Sequence, residues 1–340
     1  MQPYQLLEVK LAEWLNLDPA GMVVCSSGTA ALHLAIEVLV PKKDSQVLVP
    51  DYGMIACPRA VTLANCMPVF IDCGDDLLIN LRTVNDAPWD QRRASALMPV
   101  HIYGRRVDMD PLHRYVEGRD LVVIEDMAEL HGISPHPSTH AAAWSFYANK
   151  HVAGEEGGAV YFKDPEFAEH ARMLRSLGFT EEHNYIHIPR GHNYRLADTL
   201  AGLILGSLEW YSENLKRRRE LEATYQEHCP AALRMPHRDA PWVYDLRIKG
   251  ATYEVIDILV ADLQKAGIAA RHGFKPMSLQ MEYANMQPPS KRTMWSEKGG
   301  ISNAAKIAQE MLYLPLTPGK AHKETCQKAF EVISHVLETR

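Results

Sequence analysis

Short apolar runs alternate with amphipathic stretches through the first half of the chain. Val47-Leu48-Val49-Pro50, Pro68-Val69-Phe70-Ile71-Asp72, Ala96-Leu97-Met98-Pro99-Val100-His101 and Leu121-Val122-Val123-Ile124-Glu125 are near-continuous and of strand length. Residues 30–40 and 58–64, lying between them, carry helical patterns. Strands that are apolar on both faces predict an α/β fold, a mostly parallel sheet sandwiched by helices. In such sheets ligands bind at the carboxyl ends of the strands. The N-terminal MQPYQLLEVKLAEWL reads as an amphipathic helix, and residues 198–228 as one long helix stopped by Pro230. The rest reads as a smaller α+β segment, with a strand at 242–248, a helix at 254–266 and a terminal helix at 321–338. The expected division is a large domain over 1–215 and a small C-terminal domain over 216–340.

The composition narrows the partners. With 340 residues, 46% hydrophobic and 23% charged, the chain has ample core for a large domain and a smaller one. A formal charge of −6 gives no electrostatic case for nucleic acid or an anionic membrane. The basic run Lys216-Arg217-Arg218-Arg219 falls inside a helical pattern and is expected to be a solvated face. The N-terminus lacks an apolar signal core, and no apolar span of about 18 residues follows. Six cysteines are scattered without CxxC spacing, so the expectation is a reduced, cytoplasmic protein. His183 and His187 have the spacing of a helical metal pair, but Pro189 and Gly191 argue against helix there, and no metal is expected.

Four segments carry candidate chemistry. Lys150 closes Trp144-Ser145-Phe146-Tyr147-Ala148-Asn149-Lys150 and precedes Glu155-Glu156-Gly157-Gly158. It reads as the end of a short aromatic strand leading into a glycine turn, well placed to reach a pocket. An isolated lysine, however, is ordinarily a solvated surface group. Cys25-Ser26-Ser27-Gly28-Thr29-Ala30-Ala31 opens a helix after Val23-Val24. Its small residues let backbone approach a ligand, and N–H groups at a helix start attract an anion. A plain N-cap is the equal alternative, since neither a Walker lysine nor GxGxxG is present. Glu125-Asp126-Met127-Ala128-Glu129 ends the most apolar strand. Adjacent buried acids are costly, so one should face the crevice, where Asp126 could hold a protonated ring nitrogen. A helix-capping carboxylate is the other reading. Gly191-His192-Asn193-Tyr194-Arg195-Leu196-Ala197-Asp198 alone would be an ordinary loop ending in a cap.

In this order the segments resemble the DegT/DnrJ/EryC1/StrS family of sugar-nucleotide aminotransferases, which depend on pyridoxal phosphate (PLP). Further matches are residues 50–61, Pro99-Val100-His101-Ile102-Tyr103-Gly104, Gly267-Ile268-Ala269-Ala270-Arg271 and Leu312-Tyr313-Leu314-Pro315-Leu316. The resemblance implies the aspartate-aminotransferase type of fold and a homodimer with shared active sites. By it, Lys150 carries PLP as a Schiff base and Asp126 pairs with the ring nitrogen. Thr29, Ala30 and Ser145 bind the cofactor phosphate, with Gly28 beside them and Asn193 reaching it from the neighbouring subunit. Glu129 stands beside the ring oxygen, where relatives usually have Gln or His.

Two departures stand out. Met54 falls where relatives stack an aromatic ring on the cofactor, although a two-residue slip would place Tyr52 there. Only 25 residues precede Ser26, whereas relatives carry a longer, glycine-rich stretch shaping the substrate pocket. The implied reaction moves an amino group from L-glutamate to a nucleotide-linked keto-sugar. Alternatives are a cyclitol or other non-nucleotide ketone, a sugar dehydratase using pyridoxamine phosphate (PMP), or a non-catalytic binding homologue. The dehydratases have histidine in place of the lysine, so His151 makes the register at Lys150 matter. Arg271, His272, Lys275 and His187 are candidates for the acceptor site, with surface or packing roles as the other reading.

Overall fold

Seven strands form the large sheet: β1 (Met22–Cys25), β2 (Gln46–Pro50), β3 (Met67–Ile71), β4 (Ala94–Leu97), β5 (Val122–Asp126), β6 (Ala141–Ser145) and β7 (Gly158–Phe162). The computed structural model of the protein describes residues 2–339 except 41, 88, 91, 181–184, 285–301 and 318–321. The spatial order is β1-β7-β6-β5-β4-β2-β3. The pairings from β3 across to β6 are parallel, and β7 runs antiparallel to both β1 and β6. β4 is shorter than the apolar run from 96 to 101. Pro99 has no N–H to give to a ladder, and Val100 returns only as a single bridge to Asp126.

Both faces of the sheet are covered, as the unbroken apolar strands require. Val23, Cys25, Ala141 and Ala143 pack on one side with α2 (Gly28–Leu39), α3 (Ala56–Leu63) and α6 (Pro165–Arg175). Between α3 and α6 in the chain lie α4 (Leu81–Asp86) and α5 (Met109–Val116). Met22, Val24, Ala142 and Trp144 alternate to the other side, against α1 (Pro3–Leu15) and α7 (Asp198–Glu209). Each fully buried aliphatic side chain contributes roughly 1.5–3 kcal/mol.

The long helix expected over 198–228 is two helices. α7 ends at Trp210, whose backbone (φ −90°, ψ 1°) is not helical, and α8 (Tyr211–His228) starts anew. The break lets the two change partners: α7 lies on α1, while α8 carries Tyr225 into a second core.

That core belongs to a small antiparallel sheet of β8 (Val243–Arg247), β9 (Arg271–His272) and β10 (Met311–Pro315), ordered β8-β10-β9. α9 (Tyr253–Lys265) and the terminal helix (Lys323–Glu338) cover it. From the same half of the chain, Met277, Tyr283, Ile307 and Met311 enter the core of the large sheet. A buried ionic knot joins the two bodies. Arg105 Nη2 donates to Asp245 Oδ1 at 2.9 Å, and Arg238 Nε donates to the same oxygen at 2.8 Å.

Candidate active site

A cavity of about 480 Å³ opens at the carboxyl ends of the parallel strands. Alternation along β5 separates its two terminal acids. Glu125 points away from the cavity and accepts from His101 Nε2 at 2.9 Å, from the His136 N–H at 2.8 Å and from Thr139. Burial alone would raise its pKa, but these donors hold it below the usual carboxylate value. Asp126 lines the cavity. Its Oδ2 accepts from the Cys57 thiol at 3.0 Å and its Oδ1 from the Ala128 N–H at 2.9 Å. Burial, then the Asp126 charge, pushes the Cys57 thiol well above its ordinary pKa, so it stays a proton donor.

Lys150 does not end a strand. β6 stops at Ser145, and Lys150 sits five residues on in a turn, where its N–H meets the Tyr147 carbonyl at 2.9 Å. Phe146 and Gly154 close the base of the turn through Phe146 N–H to Gly157 O and Gly154 N–H to Phe146 O, both 2.8 Å. Behind it stands Arg218, which is buried and is no part of a solvated face. Its guanidinium donates to the Trp242 carbonyl at 2.8 Å and, more weakly, to the Asn149 and Lys150 carbonyls. The fold presses one face of α8 against the turn, while Lys216, Arg217 and Arg219 remain exposed.

The Lys150 amine lies 3.6 Å from Glu129 Oε1 and 4.0 Å above the Trp242 ring. Burial pulls its pKa below the usual lysine value, against the attraction of Glu129 and Asp126. Burial pushes the Glu129 carboxyl up to about 7, although Lys150 and the Tyr103 N–H (2.7 Å) stabilise its charged form. An amine whose pKa burial lowers, beside a carboxyl poised near neutrality, is suited to proton transfer.

Across the cavity, Ser27 caps α2 by accepting from the Ala30 N–H at 3.1 Å. That N–H is thereby engaged, and Ala30 does not line the cavity, whereas Gly28, Thr29 and Ser145 do. A Cβ on Gly28 would come within 2.7 Å of the Ser145 Cβ, and one on Gly158 within 2.3 Å of the Ser27 carbonyl. Helix start, β6 end and β7 start thus converge on a cradle with no room for side chains. A helix N-terminus suits a phosphate. With Lys150 and Asp126 facing the same space, the residues fit PLP.

The remaining candidates divide. Met54 lines the cavity at 52% exposure. Tyr52 is fully buried, bonded to the Tyr103 hydroxyl at 3.1 Å and the Phe274 N–H at 3.1 Å, and does not line the cavity. His151 is buried against the Pro241 carbonyl at 3.1 Å, outside the cavity. Asn193 is exposed and also outside its own chain's cavity. Arg271 lines the cavity, whereas His272 pairs with Asp257, Lys275 lies over Tyr253, and His187 meets the Leu177 carbonyl. His183 lies outside the described residues. Trp242, Phe274 and Tyr313 form an aromatic wall from the C-terminal half. Of these only Tyr313, inside Leu312-Tyr313-Leu314-Pro315, had any local signal.

Fold and site together define a PLP-dependent aminotransferase. The chain belongs to the DegT/DnrJ/EryC1/StrS aminotransferase family, which it matches over residues 3–334. A GDP-perosamine synthase of Caulobacter vibrioides is 31% identical over 277 residues, 78% of this chain and 74% of its own. A dTDP-3-amino-3,4,6-trideoxy-alpha-D-glucose transaminase of Streptomyces venezuelae is 31% identical over 346 residues, 97% of this chain and 85% of its own. Among solved structures, the apo form of a putative sugar aminotransferase from Streptococcus pneumoniae superposes with a TM-score of 0.89 at 22% identity. That match covers 100% of this chain and 91% of the other, and the same protein is known in PLP and PMP forms.

Proposed function

We propose that the protein moves an amino group from L-glutamate to a keto-sugar carried on a nucleotide diphosphate, as a homodimer with shared active sites. The observation that carries this reading is the buried Lys150 amine beside Glu129, facing Asp126 across the cavity. When bound, PLP supplies a reactive aldehyde and an electron sink for amino-group exchange. Lys150 is assigned to hold the cofactor and then to carry the substrate's α-proton, burial lowering the pKa of its amine. Asp126 is assigned to the ring nitrogen, braced by Cys57 and the Ala128 N–H. Gly28, Thr29 and Ser145 are assigned to the phosphate and Glu129 to the ring oxygen, while Met54 packs at the mouth. The aromatic wall over Lys150 excludes water from the proton it carries.

The sugar-nucleotide acceptor is supported by the names of the two relatives and by Arg271, a cation in the cavity suited to a diphosphate. Lys150 lines the cavity and His151 does not, which favours amino transfer over dehydration. Asn193, exposed and not lining its own chain's cavity, is the residue proposed to reach the partner's cofactor. Six unpaired, buried cysteines support the cytoplasm as compartment. Among the described residues no helix is long and apolar enough to cross a membrane.

The test begins with holoprotein and glutamate, which should bleach the cofactor's visible band and release 2-oxoglutarate. Borohydride treatment should leave the cofactor attached to Lys150 by mass spectrometry, and Lys150→Ala should abolish turnover. Transamination retained by Lys150→Ala would overturn the assignment. A panel of dTDP-, UDP- and GDP-linked keto-sugars set against a cyclitol ketone then tests the acceptor.

A further inference from the structure

Away from the cavity, α2 and the loop before α7 bring together His33, Glu37 and His192. Among the described residues they are the one group of three His, Cys, Asp or Glu donors gathered this closely, with all three ligand atoms within 4.8 Å of one another. His33 and Glu37 are one helical turn apart and share a face. His33 Nε2 lies 3.7 Å from Glu37 Oε2, and His192 Nε2 lies 2.6 Å from the same oxygen.

A second observation concerns His33 itself. The ring is 2% exposed, and its Nε2 has no hydrogen-bond partner. Its Nδ1 is 3.1 Å from the Tyr194 hydroxyl. With the proton on Nδ1 donated to that oxygen, Nε2 presents a bare lone pair toward the carboxylate. This is how an outer hydrogen bond fixes the tautomer of a metal-bound imidazole.

We propose that His33, Glu37 and His192 form a binding site for a divalent zinc-class ion. Two imidazoles and one carboxylate make a borderline donor set suited to zinc, and the partly exposed side of His192 leaves the fourth position to solvent. Binding replaces the His192–Glu37 hydrogen bond, the His192 proton moving off Nε2 to leave that lone pair for the ion. Arg190, 3.5 Å from Glu37 Oε1, competes for the carboxylate and would swing outward, being already half-exposed. The ion would pin the loop that carries Asn193 to the helix whose first turn lines the cofactor cavity. The inference stands on these side chains alone and does not depend on the reaction assigned to Lys150.

The experiment uses full-length holoprotein, stripped with a chelator, returned to phosphate-free buffer and titrated with zinc chloride by calorimetry. Retained metal is counted by plasma mass spectrometry. Wild type should take up one zinc per chain. His192→Ala and Glu37→Gln, checked for folding by circular dichroism, should lose it. Tyr194→Phe should weaken it by about tenfold to a hundredfold. A wild-type chain that retains no zinc, or folded variants that bind it as tightly as wild type, would show that the cluster is only an ion-pair network.

Discussion

Glu129 keeps its proton up to about pH 7 in the folded chain, whereas an unfolded glutamate ionises near 4.5. Between those values the native state binds the extra proton. Stability of the cofactor-free protein should therefore fall as pH rises through that window, by up to about 1.4 kcal/mol per pH unit. Glu129→Gln should flatten the slope, as read from urea midpoints taken across the window. Arg218 acts at the same scale. Arg218→Met keeps the packing but strips donors from the buried Trp242, Asn149 and Lys150 carbonyls. We expect a loss of roughly 2–4 kcal/mol in denaturant unfolding and weaker cofactor retention in spectroscopic titration. Lys150, Asp126 and Thr29 line one cavity, a convergence that the joint order of their motifs implied although each motif alone had an ordinary reading. Arg218 was not legible in the sequence, because a basic run on a helix says nothing about which of its residues meets the rest of the protein.

At the scale of elements, β7 matters because its first residue touches the turn that opens α2. A Cβ at position 158 would strike the Ser27 carbonyl and approach the Gly28 nitrogen to 2.7 Å, both rigid backbone. Gly158→Ala should cost about 1–3 kcal/mol in thermal unfolding and release the cofactor on gel filtration. The strands were readable because burial on both faces leaves unbroken apolar runs. The helix break at Trp210 was not, since α7 and α8 are each good helix formers and differ only in what they pack against. The turn carrying Lys150 reads as strand because Trp144-Ser145-Phe146-Tyr147 has strand composition, while its hydrogen bonds to Gly154 and Gly157 are made across the hairpin. Trp242 and Phe274 reach the site through the fold alone, from positions far along the chain.

For the whole molecule the Arg105–Asp245–Arg238 knot is the sensitive joint. Asp245 is fully buried, and burial would raise its pKa, yet the two guanidiniums hold it below the carboxylate range. The stability it lends is present above the unfolded value and is lost as pH falls through the folded one. Asp245→Ala would leave buried Arg105 without its carboxylate and Arg238 with Glu222 alone, and should cost about 3–5 kcal/mol by urea unfolding. The boundary expected between 215 and 216 falls inside α8, which joins both bodies: Tyr211 packs with the large sheet and Tyr225 with the small one.

Because Met277, Tyr283, Ile307 and Met311 plug the large sheet from the far half of the chain, the two halves are not interchangeable modules. A chimera that borrows the last third from a relative would inherit foreign plugs and a foreign roof over Lys150. Reshaping the cavity is therefore more accessible by altering Met54 and Arg271, which line it, than by recombination.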